Sequence, residues 1–282
     1  MLSAARSETG ARVVQLLPTP PSRAAAAWRD LSDGFAKSWM WWTLALQDIK
    51  LRYRGSVLGP FWMTISTLVM VTAMGLIYSH LFHVEIATYM PYVTIGLIVW
   101  QFVSAVTSEG CESFLRAENV IQQIPIPYSI HAYRTVCRNL IVLAHNFLII
   151  PLGLIVLWRP VDWRIIETGA GLAVLAFDGL WISILLGMVS ARFRDIPPIV
   201  ASFLQVAFFV TPVFWPVDAL GDWKAIATLN PLFAAIDVVR SPLLGLAVAR
   251  TSWVVLLGST IFGCVITFTL FARFRMRIAY WI

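Results

Sequence analysis

The chain has 282 residues, of which 59% are hydrophobic and 13% are charged, and its formal net charge is +6. A soluble domain has about 25% charged residues, so this composition excludes an ordinary soluble globule and predicts an all-α integral membrane protein. The basic residues cluster in short segments beside apolar runs, which is typical of membrane-flanking charge, and we therefore expect no nucleic-acid partner.

The first predicted elements are a tail and an interface helix. Residues 1–27 mix Pro, Ser, Ala and Arg without periodicity, which predicts a disordered cytoplasmic tail. Over residues 28–54, large apolar residues recur every three or four positions with charged residues between them, which predicts an amphipathic helix in the headgroup plane. The apolar stripe comprises Trp28, Leu31, Phe35, Trp39, Trp42, Leu46, Ile49 and Tyr53. The alternative is a helix that packs on a soluble partner.

A joint follows at YRGSVLGPFW, residues 53–62, where dense charge meets dense hydrophobicity. Gly55 and Gly59 permit backbone angles that other residues disfavour. Pro60 suits the first turn of a new helix, where its missing N–H has no partner to lose. We therefore expect the chain to turn here from the membrane surface into the bilayer.

Six apolar segments are each close to the roughly 20 residues that a helix needs to cross a hydrocarbon core about 30 Å thick. They are residues 60–82, 92–110, 131–157, 165–190, 197–216 and 252–272. With the N-terminus inside, sixteen of the 21 Lys and Arg residues lie on the inner side. The positive-inside rule therefore puts both termini in the cytoplasm, and residues 55–282 form one six-helix transmembrane domain.

Two connections between these spans are unusual. CESFLRAENVIQQIPIPYSI, between the second and third spans, is polar, has a helical pattern, and ends near Pro125 and Pro127. After the fifth span, residues 217–250 are too many for a turn and are interrupted by Asn230-Pro231 and Ser241-Pro242. This predicts short re-entrant helices in the outer leaflet, buried in protein or facing a water-filled cavity.

The sequence lacks the P-loop motif that ATP hydrolysis would need. A P-loop needs Gly-Lys followed by Ser or Thr, and none of the three lysines, Lys37, Lys50 and Lys224, follows a glycine. His80 and His83 have the spacing of metal ligands but lie at the end of the first span, where interfacial polar residues are ordinary. We expect no catalytic residue, cofactor or metal site in this chain.

One acid lies within an apolar span. Asp178, in AVLAFDGLWISI, is near the middle of the fourth span, and an intramembrane acid is a functional hypothesis that needs a partner. His145, with Asn146 beside it, falls at a similar depth on the third span, which predicts a polar pair between Asp178 and His145. This pair either holds the two spans together or takes part in moving a proton or substrate.

The fifth span is aromatic. FLQVAFFVTPVFWPVD carries Phe203, Phe208, Phe209, Phe214 and Trp215. Flat aromatic faces can stack on sugar rings without gripping any hydroxyl, which would suit a sliding polymer. The alternative is an interfacial aromatic belt together with ordinary helix packing.

Four segments carry a resemblance to a known family. LQDIKLRYRGSVLGPFW, ENVIQQIPIPYSI, ARFRDIPPIVASFLQVAFFVTPVFWP and LNPLFAAIDVVRSPLLG resemble the membrane-spanning subunit of polysaccharide ABC exporters, the permeases for O-antigen, capsule, teichoic acid and galactan. The similarity runs in order from about residue 28 to 272. Asp178 departs from the family's pattern.

The resemblance implies a homodimeric permease in the bacterial inner membrane, bound to two copies of a nucleotide-binding ATPase subunit that holds ATP and Mg. It implies export of a lipid-linked polysaccharide through a channel between the protomers. By resemblance, the segment that contacts the ATPase includes Glu112, Phe114, Arg116, Glu118, Asn119, Gln122 and Gln123. By resemblance, the broken helices after the fifth span form an outer gate within Val217 to Gly245, which includes Asn230 and Pro231. The aromatic side chains of the fifth span complete the predicted path: Phe203, Phe208, Phe209, Phe214 and Trp215.

Together with this resemblance, the joint at residues 53–62 predicts a substrate entrance. We predict that a lipid-linked substrate enters from the inner leaflet beside Gly55, Gly59 and Pro60, with Arg52 and Arg54 attracting its pyrophosphate. Each arginine near an anionic surface contributes on the order of 1 kcal/mol of attraction. The alternative is that both arginines only anchor the topology.

Two other functions stay open on the sequence. A permease for a drug or a small lipid belongs to the same superfamily as polysaccharide exporters. A membrane glycosyltransferase is the alternative of another class, and it would need clustered carboxylates or a nucleophile–base pair, neither of which the sequence contains.

Overall fold

The computed structural model describes residues 22–59, 61–156 and 163–282. All regular structure in these ranges is helical, without a strand, so the all-α prediction is confirmed. The predicted tail differs at its end, because residues 23–27 already belong to a helix; residues 1–21 lie outside the described ranges.

The predicted interface helix is two helices, α1 (Arg23–Ala36) and α2 (Ser38–Arg52). The Ser22 hydroxyl accepts a hydrogen bond from the Ala25 N–H at 3.2 Å, which starts α1 earlier than the apolar stripe suggests. The helix is interrupted at Lys37; α1 packs on the last span and on the start of the third, whereas α2 packs along the third and reaches the second through Arg52 and Glu109. The stripe therefore divides: Trp28 and Trp39 remain exposed, and Ile49 is buried.

Five described helices are long and apolar enough to cross a membrane. They are α3 (Phe61–Leu81), α4 (Ile86–Cys111), α6 (Ser129–Phe147) continued by α7 (Ile149–Val156), α8 (Ile165–Arg192) and α12 (Arg250–Phe274). The fifth predicted span is the shorter α9 (Ile196–Val210). Its 15 residues extend about 22 Å, less than the hydrocarbon thickness, because Thr211 is extended and Pro212 cannot continue the helix. A count of six spans stays a prediction.

Helix α4 is the centre of the bundle. Residues 93–100 are buried on every face of this helix, which packs against α3, α6, α8 and α11 (Pro231–Leu243). Small residues bring its neighbours close: a Cβ on Gly110 would lie 2.9 Å from the Ser183 Cα on α8. Such close approaches let helices associate where lipid removes the hydrophobic driving force.

The connection after α9 contains three helical pieces. A 3₁₀ segment (Val217–Trp223) and α10 (Lys224–Thr228) are followed by α11, whose N-cap is Asn230. Residues 233–242 of α11 are all buried in the protein. The predicted break at Asn230-Pro231 is present, but Pro242 lies inside the last turn of α11 and does not end it. The depth of these helices in a membrane stays a prediction.

The opposite end of the bundle contains short helices. A 3₁₀ turn (Leu115–Ala117) and α5 (Glu118–Gln123) connect α4 to α6. After α12, a second 3₁₀ turn (Arg275–Arg277) leads into α13 (Ile278–Trp281), which packs on α5 and α8. The chain's C-terminus thus lies against the connection between α4 and α6.

Helix α8 offers a matched test of this packing. A Cβ on Gly171 would lie 2.8 Å from the Val238 carbonyl oxygen on α11, whereas a Cβ on Gly169 would meet nothing within 4 Å. We expect Gly171→Ala to lower the free energy of unfolding by about 1–3 kcal/mol, since the α11 backbone must move. Gly169→Ala should leave it equal or higher. Thermal unfolding of both variants in detergent checks this, and equal midpoints would contradict the close contact between α8 and α11.

Candidate functional site

A cluster of five charged side chains joins three elements at one end of the bundle. Asp48 and Arg52 lie on α2, Glu109 on α4, and Arg134 and Arg138 on α6. These five residues are called the charge cluster below. They connect α2 to the last turn of α4 and to the first half of α6.

Arg138 is the centre of the charge cluster. Its Nη1 donates to Asp48 Oδ2 at 2.6 Å and its Nη2 to Glu109 Oε2 at 2.7 Å. Arg134 donates to both oxygens of Asp48, at 2.8 and 2.5 Å. Arg52 donates to Glu109 Oε1 at 3.0 Å. The two carboxylates therefore share three guanidinium groups.

Burial makes this arrangement energetically important. The Arg138 side chain is 8% exposed and those of Asp48 and Glu109 are 15% and 16% exposed. Desolvation raises the pKa of Asp48, but hydrogen bonds and charge from Arg134 and Arg138 outweigh it and hold that pKa below its ordinary value. Because a buried charge without its partner is strongly destabilising, the cluster holds α2, α4 and α6 together.

A second attachment fixes α1 to α6. The Asp30 carboxylate accepts from the backbone N–H groups of Tyr128 and Ser129, at 3.2 and 3.0 Å. The Ser129 hydroxyl donates back to the Asp30 carbonyl at 2.7 Å. An acid at a helix N-terminus satisfies unpaired N–H groups and interacts favourably with the helix dipole. Arg275 Nη2, 3.4 Å from Asp30 Oδ2, adds the end of α12 to this contact.

The residues predicted to contact an ATPase divide into two groups. Phe114 is fully buried and contacts Tyr128 and His131 ring to edge, so its side chain is an anchor and not a surface contact, contrary to the prediction. The remaining six lie at or near the surface: Glu112, Arg116, Glu118, Asn119, Gln122 and Gln123. Exposed Val120 and Ile124 lie among them.

This segment is also tied to the C-terminus. The Gln122 amide donates to the Ile282 carbonyl at 3.2 Å, and Arg116 pairs with Glu112 one turn earlier on the chain. A protein that binds at α5 would therefore act directly on α4 and on the C-terminal residue. It would also act on α6 and α8, because Phe114 packs against both helices.

The predicted entrance is in part as expected. Gly55 and Gly59 have φ values of 83° and 54°, a region that favours glycine, and they make the turn between α2 and α3. Pro60 lies outside the described residues. Arg52 does not stand free, because it binds Glu109, whereas Arg54 is exposed in the turn.

The predicted path residues lie in two places. Phe203 and Phe209 are 61% and 62% exposed on the outside of α9. Phe208 packs against Phe214 and against Trp100 of α4, and Asn230 caps α11 by accepting from Leu232 N at 2.9 Å. Phe208 still belongs to α9, whereas Phe214, Trp215, Asn230 and Pro231 lie in the layer after α9, meaning residues 211–243.

Residues 211–216 cross this layer without helical structure, and their carbonyl groups are bound by side chains. Arg240 donates to Pro212 O at 2.9 Å and stacks 4.0 Å from the Tyr92 ring centroid. Tyr89 donates to Phe214 O, and Tyr92 donates to Trp215 O at 3.0 Å. This is the condition under which irregular backbone is tolerated at membrane depth.

The predicted Asp178–His145 pair is wrong. Asp178 Oδ1 accepts from the Trp181 indole N–H at 2.7 Å and also interacts with Thr260 of α12. The His145 ring bonds the Ile141 carbonyl at 2.8 Å and meets the Phe61 ring edge to face. The two residues lie on different faces of the bundle, toward α12 and α3, and equal depth says nothing about the face a side chain occupies.

A groove of about 490 Å³, lined by both apolar and polar side chains, lies between α3, α4, α6 and α9; it is called the polar groove below. Its hydrogen-bonding side chains are hydroxyls and amides: Ser66, Thr67, Gln101, Ser104, Ser108, Asn139 and Asn146. Gln101 Oε1 accepts from Thr67 and Asn146, at 3.2 and 3.1 Å, so the groove's side chains are partly ordered. None of the described residues that line it is charged.

The charge cluster and the polar groove were not predicted from the sequence. Arg134 and Arg138 contributed only to the count of inner basic residues, although their spacing of four puts them on one helix face. Asp48 and Arg52 have the same spacing on α2, and Glu109 ends an otherwise apolar span. These repeats were the available signal, but which of them meet in space depends on how the helices pack.

The charge cluster has a matched control in the pair between Arg116 and Glu112, whose side chains are 59% and 39% exposed. We expect Arg138→Gln to lower the free energy of unfolding by about 3–5 kcal/mol, since it leaves two buried carboxylates short of a partner. Arg116→Gln removes an exposed pair and should lower it by about 0–1 kcal/mol. Thermal unfolding followed by tryptophan fluorescence checks this, and equal midpoints would contradict a structural role for the cluster.

Comparison with known proteins extends this description. The ABC-2 type transporter family matches residues 40–244. The chain is 24% identical over 199 residues to the O-antigen export system permease protein RfbA of Myxococcus xanthus, covering 67% of this chain and 74% of that protein. A Klebsiella pneumoniae protein of the same name is 25% identical over 198 residues, with the same coverage. The match over most of the chain, on a helical membrane bundle, shows that the chain belongs to the ABC-2 type transporter family.

Proposed function

We propose that this chain is the permease subunit of an ABC transporter that exports a lipid-linked polysaccharide across the bacterial inner membrane. A separate ATPase subunit supplies the energy, and the working assembly contains two copies of each chain. Family membership supports a transport subunit, and the names of the RfbA relatives support a polysaccharide substrate.

The polar groove carries the substrate assignment. Sugars present many hydroxyl groups, and a path for them needs neutral donors and acceptors inside the bilayer, where isolated polar groups are otherwise unfavourable. The groove offers amides from three residues, Gln101, Asn139 and Asn146. A permease for a small apolar lipid would need no such lining. Uncharged partners also allow a polymer to move on without breaking an ion pair.

Two exposed helix faces border the groove and support a dimer. On α3, Phe61, Trp62 and Val69 are more than half exposed, and on α9 so are Phe203 and Phe209. A second copy packed against these faces would close the open side of the groove into a channel. In that assembly Phe203 and Phe209 would face the path, as the sequence predicts, while Phe208 and Phe214 would support the outer layer.

The ATPase subunit docks, in this proposal, on α5 and the adjoining turn. Asn119, Val120 and Gln123 are exposed there, and mixed polar and apolar side chains on a rigid short helix suit a protein contact. The buried Phe114 would transmit the contact into α6 and α8. Both termini of the chain would then lie on the cytoplasmic side, beside the ATPase.

The substrate enters, in this proposal, beside the turn at residues 53–59. Arg54 is exposed there and would attract the pyrophosphate of the lipid carrier at the inner surface. Arg52 is bound to Glu109, so it fixes α2 to α4. A phosphate could bind Arg52 only while Glu109 also binds it.

The test places a bulky side chain in the polar groove. Ser104 bonds only its own helix, through Gln101 O at 3.2 Å, so replacing it leaves no buried partner unpaired. In cells that carry the chain with its ATPase subunit, we expect Ser104→Trp to reduce periplasm-exposed polysaccharide at least about ten-fold, because overpacking displaces neighbouring groups. Antibody binding to the exported glycan, normalised to permease in the membrane, measures it.

The control is Ile261→Trp, which places the same ring on the exposed side of α12, where Ile261 is 65% exposed. This variant should export as the unmodified chain does. Normal export by Ser104→Trp, at equal membrane levels, would contradict the assignment of the groove as the polysaccharide path.

A further inference from the structure

An apolar groove of about 710 Å³ lies beneath α1, on the side of the bundle formed by α8 and α12. It is lined by Trp28 and Phe35 of α1, Phe177 and Trp181 of α8, and Val265 and Thr269 of α12. This groove, called the α1 groove below, is separate from the polar groove, which lies between α3, α4, α6 and α9. Its volume is within the range of about 300–1,000 Å³ that is usual for ligand sites.

The shape of the α1 groove fits a hydrocarbon chain. Its lining on α12 runs from Cys264 to Phe271, which is about 10 Å along the helix axis. That is about a third of a hydrocarbon core 30 Å thick, so the groove spans part of one leaflet. Phe35, Phe177 and Val265 are each more than half exposed, and α1 crosses over the end of the groove as a partial roof.

A cation follows the lining of the α1 groove on α12, one helical turn after Thr269. Val265, Thr269 and Arg273 are four residues apart on α12, so they lie on one face of that helix. Val265 and Thr269 line the groove, and Arg273 is exposed one turn further toward α1. Among described residues no carboxylate lies within ion-pair distance of Arg273.

The charged residues of α1 and of the turn after α12 are mostly arginines. Arg23 and Arg29 are exposed on α1 and Arg277 on the turn after α12, with Arg29 on the face of α1 that borders Ile121 and Pro125, and Asp30 is buried and bound to α6. Exposed Asp33 is the acid that remains on α1. Apolar side chains along a groove complement an acyl chain, and a cation one turn beyond them, with no ion pair to any described residue, complements an anionic headgroup.

We propose that the α1 groove is a binding site for one anionic phospholipid. One acyl chain lies between α8 and α12 beneath Trp28 and Phe35, and Arg273 binds the headgroup phosphate. The bound lipid fills the space under α1 and so supports the interface helix from the side opposite the charge cluster. This site does not depend on the nature of the exported substrate.

The experiment measures lipids retained by the full-length chain. The chain is reconstituted with equal amounts of phosphatidylglycerol and phosphatidylcholine, released into detergent, and analysed by native mass spectrometry, which also reports its oligomeric state. We expect phosphatidylglycerol to be retained about five-fold over phosphatidylcholine, the factor that one arginine near an anionic headgroup provides. Arg273→Gln should abolish this preference, and Val265→Trp should displace the bound lipid.

Two variants of α12 are matched controls. Arg250→Gln removes the same charge at the other end of α12, and Val254→Trp adds the same ring at a position 63% exposed, against 61% for Val265. Both should retain lipid as the unmodified chain does. Equal retention of the two lipids by the unmodified chain, or equal behaviour of Arg273→Gln and Arg250→Gln, would overturn the proposal. Loss of dimers in Val265→Trp with lipid retention unchanged would identify the α1 groove as a subunit contact and overturn it also.

Discussion

The interaction on which the rest of the structure depends is the shared use of Arg138 by Asp48 and Glu109. An arginine whose side chain is 8% exposed has lost most of its hydration, and two carboxylates with good geometry must replace that hydration. Since these carboxylates come from α2 and α4, the surface helix and the central span are fixed to α6 by one side chain. The Asp30 cap repeats the arrangement for α1 at the start of α6.

The charge cluster and the Asp30 cap fix α1, α2, α4 and α6 to one another. This set of helices adjoins the proposed ATPase contact, the proposed substrate entrance and the polar groove. The segment proposed to meet the ATPase continues directly from α4 and is anchored by Phe114, and the turn proposed as the substrate entrance continues directly from α2. Asn139 connects the charge cluster to the polar groove, since it donates to Glu109 at 2.6 Å and also lines the groove. In the proposed function, a movement of α5 would reach the groove through α4 and this hydrogen bond.

The sequence was sufficient to predict where most of the helices lie along the chain, because local apolar length and spacing determine their positions. Apolar length predicted α3, α4, α6, α8 and α12, and the spacing of large apolar residues predicted helical structure over residues 28–54, although as one helix and not as α1 and α2. The position of these helices in the headgroup plane stays a prediction. The sequence could not predict which side chains pair between helices. Helical periodicity and depth do not determine which faces of neighbouring helices are in contact. The Asp178–His145 pair failed for that reason. The break at Lys37 was not predicted either; both α1 and α2 pack on α6, but α1 also packs on α12 whereas α2 reaches α4. The predicted fifth span corresponds to the shorter helix α9, which ends before Thr211 and Pro212. Pro212 and Pro216 predict a break at this place, but the apolar run around them does not say how short the helix is.

The claim that the charge cluster makes these helices move together is tested most directly by one distance. This is the distance between α2 and α5, the proposed ATPase contact, in different nucleotide states. Spin labels at exposed Lys50 of α2 and Gln123 of α5, in a cysteine-free background with the ATPase subunit bound, report it by double electron–electron resonance. If the charge cluster makes these elements move as one, the distance should change by less than about 2 Å between the nucleotide-free and ATP-trapped states, the size of small helix adjustments. A change of about 5 Å or more, one helical turn, would show that the two elements move independently.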